Sequence, residues 1–328
     1  MLTEIPTPIQ QMPAAIIRKK PLKRMQVMWE SFSGFFLIIA AGICWIGVGI
    51  SVSKCSERGW NYNIVQGLNY LGATLLCALM LAGSAQWGGE GKIFGWGFCL
   101  SCLAGIANFF TYVFTSKAMQ RGPNGLVWGI MQAGMIGSFL MGVFFFGEPA
   151  ALLRLLGLAL ILGGVLIMGS GKDSKTSVSG KNWVLPSLAA FLLVMITHCC
   201  NALPSYLPAA RTSSLVRTMG LYFGGVIGFA LTTLPGMIRK RDFGGRGEWI
   251  TAVVLMILNT SASLFLFYRG LDLLAKSGCG GLAYPIAIGV CVFGFSLYSL
   301  LILKEKFARL SLAGLIAVCL GIIVISLK

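Results

Sequence analysis

Nine side chains stand out because their chemistry does not match their surroundings. Trp45, Asn108, Tyr112, Trp128, Gln132, His198, Asn201, Asn259 and Tyr284 each lie within a run of apolar residues. An amide or imidazole in such a run is costly unless it finds a hydrogen-bond partner. Trp128 and Gln132 are four apart, and His198 and Asn201 three apart, so on a helix each pair shares a face. Ser261 and Ser263 follow Asn259 closely, and Tyr284 adjoins Pro285, where a proline weakens backbone hydrogen bonding. Amides, hydroxyls and ring faces are groups that can bind a solute. Each residue also has a plainer reading, as glue between helices or an anchor at a membrane interface. Gln132 and Asn108 are the strongest candidates for solute contact.

Other chemistries fail on spacing or on partners. Cys99 and Cys102 form a CxxC, but the chain has one histidine and no second CxxC, so a zinc site is not expected. The ten cysteines lie mostly inside apolar runs, where cysteine acts as a small hydrophobe and not as half of a disulfide framework. The stretch WGGEGK at 87–92 lacks both the first glycine and the Ser or Thr of a phosphate loop. It reads as an interfacial loop anchored by Trp87. His198 can carry a proton near neutral pH, yet a neutral, hydrogen-bonded histidine is the favoured reading. It has no carboxylate in its own run, so no catalytic set is visible. An enzyme is not expected, and nothing asks for a cofactor.

The runs that carry these residues bound the fold class. Hydrophobic residues make up 56% of the chain and charged residues 11%, less than half the share of a soluble domain. Mean hydropathy is +0.83. Such a chain could not cover its surface in water. Ten apolar runs of about twenty residues each are long enough to span a bilayer. They fall at 31–53, 62–83, 94–116, 123–147, 151–170, 183–203, 215–237, 249–269, 279–303 and 309–327. Spans must satisfy their backbone hydrogen bonds internally, so the expectation is an all-α integral membrane protein. All ten acidic residues fall at edges or gaps of these runs, as the cost of a charge in lipid requires. The net charge of +16 is spread over short loops and suits anionic headgroups; no segment could grip nucleic acid. Residues 1–24 carry four prolines and a basic cluster from Arg18 to Arg24, and read as a disordered basic tail. A cleaved signal peptide fits less well, because the run that follows is too long.

Glu148 and Glu305 interrupt the apolar sequence 157 residues apart. The same offset carries Gly137 onto Gly294, Leu140 onto Leu297, Gly157 onto Gly314 and Gly164 onto Gly321. About ten of some fifty pairs match between 118–169 and 275–326, and the register of helix, charged break and glycine-bearing last helix coincides. This predicts two five-helix repeats, 31–170 and 183–327, forming one membrane domain. Five is odd, so the repeats enter the membrane from opposite sides, the inverted arrangement of many secondary transporters. Glu148 and Glu305 then read as structural, each at the start of a last helix.

GPNGLVWGIMQAGMIGSFLMGVFFFGEP with LLGLALILGGVLIM, and AKSGCGGLAYPIAIGVCVFGFSLYSLLILKEK with LAGLIAVCLGIIVISL, resemble the ends of the two halves of an EamA-like protein of the drug/metabolite transporter superfamily. The resemblance spans roughly 31–327. The second half carries Lys304-Glu305 in place of the usual Gly-Glu. The resemblance implies ten helices, both termini cytoplasmic, and movement of small metabolites. Charge bias does not reproduce that orientation, with about twelve Lys and Arg inside and about fourteen outside.

The function expected is alternating-access transport of a small neutral or zwitterionic metabolite, such as a sugar or amino acid. A cation exporter would want a carboxylate deep in the membrane, and the runs offer none. The alternatives are a multidrug or cation exporter of the same superfamily and a membrane-embedded enzyme. The expected partners are the substrate and the lipid bilayer. Gly220, Gly224 and Gly228 form a small-residue stripe that can serve packing within the bundle, the default, or a homodimer. The short loops fit a multi-pass protein of a bacterial inner membrane.

Overall fold

The computed structural model describes residues 14–83, 95–119, 124–169, 183–302 and 309–326. Among these, every regular element is a helix. The first half contains α1 (Ala14–Glu57), α2 (Tyr62–Ala82), α3 (Trp96–Met119), α4 (Asn124–Gln132), α5 (Ile136–Phe146) and α6 (Leu152–Gly169). The second contains α7 (Val184–Tyr206), α8 (Ser214–Thr232), the short α9 (Leu234–Lys240), α10 (Arg246–Ser261), α11 (Tyr268–Lys276), α12 (Ala283–Leu301) and α13 (Arg309–Ser326).

Among the described residues, six helical segments are long and apolar enough to cross a membrane: Trp29–Ser51, Tyr62–Ala82, Trp96–Ala118, Val184–Tyr206, Ser214–Thr232 and Arg246–Lys276. Four shorter apolar helices, Ile130–Phe146, Leu152–Ile167, Gly280–Phe295 and Leu312–Ile325, lie in four further apolar runs. Large apolar side chains cover the outside: Leu79 is 73% exposed, Phe144 76% and Phe145 81%. A water-facing surface would not carry so many, whereas lipid tails solvate them.

Local signals set the helix ends. Asn61 caps α2 by accepting from the Asn63 amide, and Ser213 caps α8 by accepting from the Val216 amide. Gly147 ends α5 in the left-handed region at φ 64°, which a side chain would resist. Glu248 in the first turn of α10 accepts from the Gly245 amide, and also from the Asn61 amide at 2.8 Å, tying α10 to the turn before α2.

The structure departs from the sequence reading in four places. The helix begins at Ala14, so residues 14–24 of the expected tail are helical; Pro21 removes one donor without ending the helix. Residues 1–13 lie outside those described, as do the 87–92 loop and Glu305. Pro285 is the third residue of α12, where its missing N–H was to be unpaired anyway, so the helix starts there instead of weakening. The eighth run extends to Lys276 through a π-helical turn at Ala262–Phe267. Glu148 lies before α6, yet its carboxylate does not serve that helix. It accepts from the Tyr206 hydroxyl at 2.7 Å and from the Gly281 amide at 3.0 Å, at the entry to α12.

Packing links the halves directly. α6 lies along α13, and α2 along α8. α3 packs on α7 and α8, while α10 packs on α1 and α2. α1 packs on α12, and α4 on α7. The stripe Gly220, Gly224 and Gly228 lies against α3. A Cβ on Gly224 would fall 1.9 Å from the Cys102 carbonyl oxygen, and one on Gly105 1.9 Å from that of Leu221. The stripe is therefore consumed by packing within the chain.

Candidate functional site: a central uncharged cavity

A cavity of about 130 Å³ opens where helices of both halves meet. All nine residues singled out in the sequence line it. Trp45 comes from α1, Asn108 and Tyr112 from α3, and Trp128 and Gln132 from α4. His198 and Asn201 come from α7, Asn259 from α10 and Tyr284 from α12. The i,i+4 and i,i+3 pairs do share faces, and those faces point inward.

The wall is layered with rings. His198 lies flat on Tyr284, with centroids 3.9 Å apart and planes at 20°. Phe267 touches both Tyr284, at 4.7 Å, and Trp45, at 4.9 Å. Tyr70 packs on Tyr222 at 5.8 Å and receives a hydrogen bond from the Asn108 amide at 2.9 Å. The Tyr268 hydroxyl donates to Asn201 Oδ1 at 3.1 Å.

Several lining residues went unnoticed in the sequence. Gln66, Asn69 and Tyr70 on α2 have the same three- and four-residue spacing that marked the other candidates. Asn69 donates to Gln66 Oε1 at 3.0 Å, and both are buried. Phe267 was missed as well; with Ser263, which the sequence reading placed beside Asn259, it belongs to the π-helical turn, a geometry frequent at functional sites and without a sequence signature here.

One charged pair stands behind the wall. Arg217 on α8 is 1% exposed and donates to Asp272 on α11 at 2.8 Å. Its other terminal nitrogen donates to the Asn201 carbonyl oxygen at 2.6 Å, and its guanidinium lies over the Tyr268 ring. Ser205 donates to the same Asp272 oxygen. Among the described residues, no Asp, Glu, Lys or Arg lines the cavity itself. The arrangement can desolvate a small solute and offer it amides, hydroxyls and ring faces, with no ionised group at hand.

One family model matches part of the chain. Residues 32–170 match the model described as the EamA-like transporter family. This region is similar to an EamA-like transporter unit. That family belongs to the drug/metabolite transporter superfamily, and the match together with the several long apolar helices supports a multi-pass integral membrane protein. The match covers the half containing Trp45, Asn108, Tyr112, Trp128 and Gln132. A solved structure titled "Crystal structure of protein" shares the fold more widely. It covers 89% of this chain and 96% of its own, with a TM-score of 0.65 and 16% identity. No curated protein matches this chain.

Proposed function

We propose that this EamA-like protein is a secondary transporter that moves a small neutral or zwitterionic metabolite, such as a sugar or an amino acid, by alternating access through the central cavity. The observation that carries the reading is a cavity shared by both halves and lined by polar but uncharged side chains. In such transporters the substrate sits near the midplane, between repeats that rock against each other.

Ten spans in two inverted five-helix repeats, 31–170 and 183–327, fit the packing. Exchange the halves in order and the contacts map onto one another. α3 on α7 becomes α10 and α11 on α1, and α3 on α8 becomes α10 on α2. α1 on α12 becomes α7 on α4, while α6 on α13 maps onto itself. The glycines repeat the exchange. A Cβ on Gly164 would meet the Gly314 carbonyl oxygen at 2.6 Å, and one on Gly321 would meet that of Gly157 at 2.8 Å. The short connections suit a bacterial inner membrane.

A second reading, a multidrug or cation exporter, draws support from the many ring faces, since aromatic faces attract cations. It lacks a carboxylate among the described lining residues. A membrane-embedded enzyme draws no support from the family match. The test is a thermal-stability screen of the purified protein against sugars, amino acids, nucleosides and lipophilic cations. A true ligand raises the melting temperature by mass action. A shift with a neutral or zwitterionic class, lost in Gln132→Ala, is expected. A shift with cations alone overturns the reading.

A further inference from the structure

We infer that the solute this cavity accepts is a neutral, hydroxyl-rich molecule of monosaccharide or cyclic-polyol chemistry, and not a zwitterion; this rests on the transport reading above. Three buried polar atoms on the cavity wall have no hydrogen-bond partner among the described residues: Asn69 Oδ1, Asn259 Oδ1 and His198 Nδ1. Asn69 is 1% exposed and His198 6%. They come from α2, α10 and α7, so they surround the space instead of clustering on one helix. Asn69 has its amide nitrogen committed to Gln66, which fixes its oxygen as an acceptor in need of a donor. Each unmet group of this kind carries a desolvation cost that a ligand donor relieves. A hydroxyl suits all three, because it donates to an amide oxygen and can donate to or accept from imidazole.

The charge pattern excludes the zwitterion. An amino acid carries an ammonium and a carboxylate, and each would lose its hydration here without a counter-ion. The cation behind the wall, Arg217, is not a lining residue, and both its terminal nitrogens are engaged by Asp272 and the Asn201 carbonyl. The ring faces supply the complementary half of the site. The C–H face of a pyranose or cyclitol is apolar and flat, and packs on a ring such as Trp45 or Trp128, while its edge hydroxyls reach the amides.

The test is scintillation-proximity binding on the purified full-length protein, with a tritiated panel of pentoses, hexoses and inositols beside one of neutral amino acids. The expected result is binding within the polyol panel that weakens about tenfold or more in Asn259→Leu and Asn69→Leu, as loss of one buried hydrogen bond implies. Asn259→Ser, which keeps a hydrogen-bonding group, should retain most of the binding, and it serves if a leucine variant does not fold. Binding of amino acids without polyols overturns this inference and leaves the carrier reading standing. Polyol binding that ignores all these substitutions also overturns it. Binding of neither panel, nor of any other small neutral solute, overturns both.

Discussion

Arg217 and Asp272 form a lopsided ion pair: the guanidinium is 1% exposed and the carboxylate 36%, at 2.8 Å. The cation is thus the partner that cannot do without the other. Asp272→Asn leaves a buried charge uncompensated and is expected to destabilise the protein by about 3 kcal/mol, the low end for a broken buried pair because Asp272 is partly exposed. Replacing both, as Arg217→Met with Asp272→Leu, should cost less than Asp272→Asn alone. Thermal unfolding in detergent of the single and double variants checks this. The double variant should still lose solute binding, because Arg217 also holds the Asn201 carbonyl and faces the Tyr268 ring at the cavity wall.

Gly164 and Gly321 give a test of the repeat that does not depend on any substrate. Each faces a backbone carbonyl of the other helix at a distance no real Cβ tolerates. Gly164→Ala and Gly321→Ala are expected to lower the melting temperature by similar amounts, equivalent to roughly 1–3 kcal/mol each. Gly163, next in the chain, faces open space, and Gly163→Ala should be neutral or stabilise by about 0.5–1 kcal/mol. Unequal effects at Gly164 and Gly321, or a Gly163→Ala as harmful as its neighbour, would count against the symmetric crossing.

Glu148 fastens three elements with one carboxylate. Glu148→Ala strips the Gly281 amide and the Tyr206 hydroxyl of their partner in a buried setting. The expected cost is about 1–3 kcal/mol, with faster amide exchange at Gly281. Glu148→Gln keeps an acceptor oxygen and should fall between Glu148→Ala and the native protein. Tyr206→Phe removes one of the two bonds and should leave Gly281 exchange nearly unchanged.

The sequence carried the site further than it carried the ties around it. An amide in lipid is so costly without a partner that Asn108, Gln132, Asn201 and Asn259 stood out within their apolar runs, as glue between helices or as solute contacts, and all four line the cavity. The same logic applied to Gln66 and Asn69, whose spacing is identical. Arg217 with Asp272 was hidden for a different reason. Charges at 269, 272 and 276 made the run seem to end near 269, whereas α11 continues to Lys276 and brings Asp272 to a cation 55 residues away in the chain. Glu148 sits beside one helix in the sequence and serves another in space, because the left-handed turn at Gly147 redirects the chain. Helices, their limits and their polar faces follow from local chemistry; which distant partner meets a carboxylate follows from packing.

The central claim is that both halves form one path for a small solute, and counterflow into proteoliposomes tests it most directly. Vesicles preloaded with the binding solute should take up its tritiated form faster than empty vesicles. Trp128→Ala from the first half and His198→Ala from the second should each abolish that uptake while the protein still folds and reconstitutes. Uptake that survives both substitutions, or that does not depend on solute inside the vesicle, would contradict a shared alternating-access cavity.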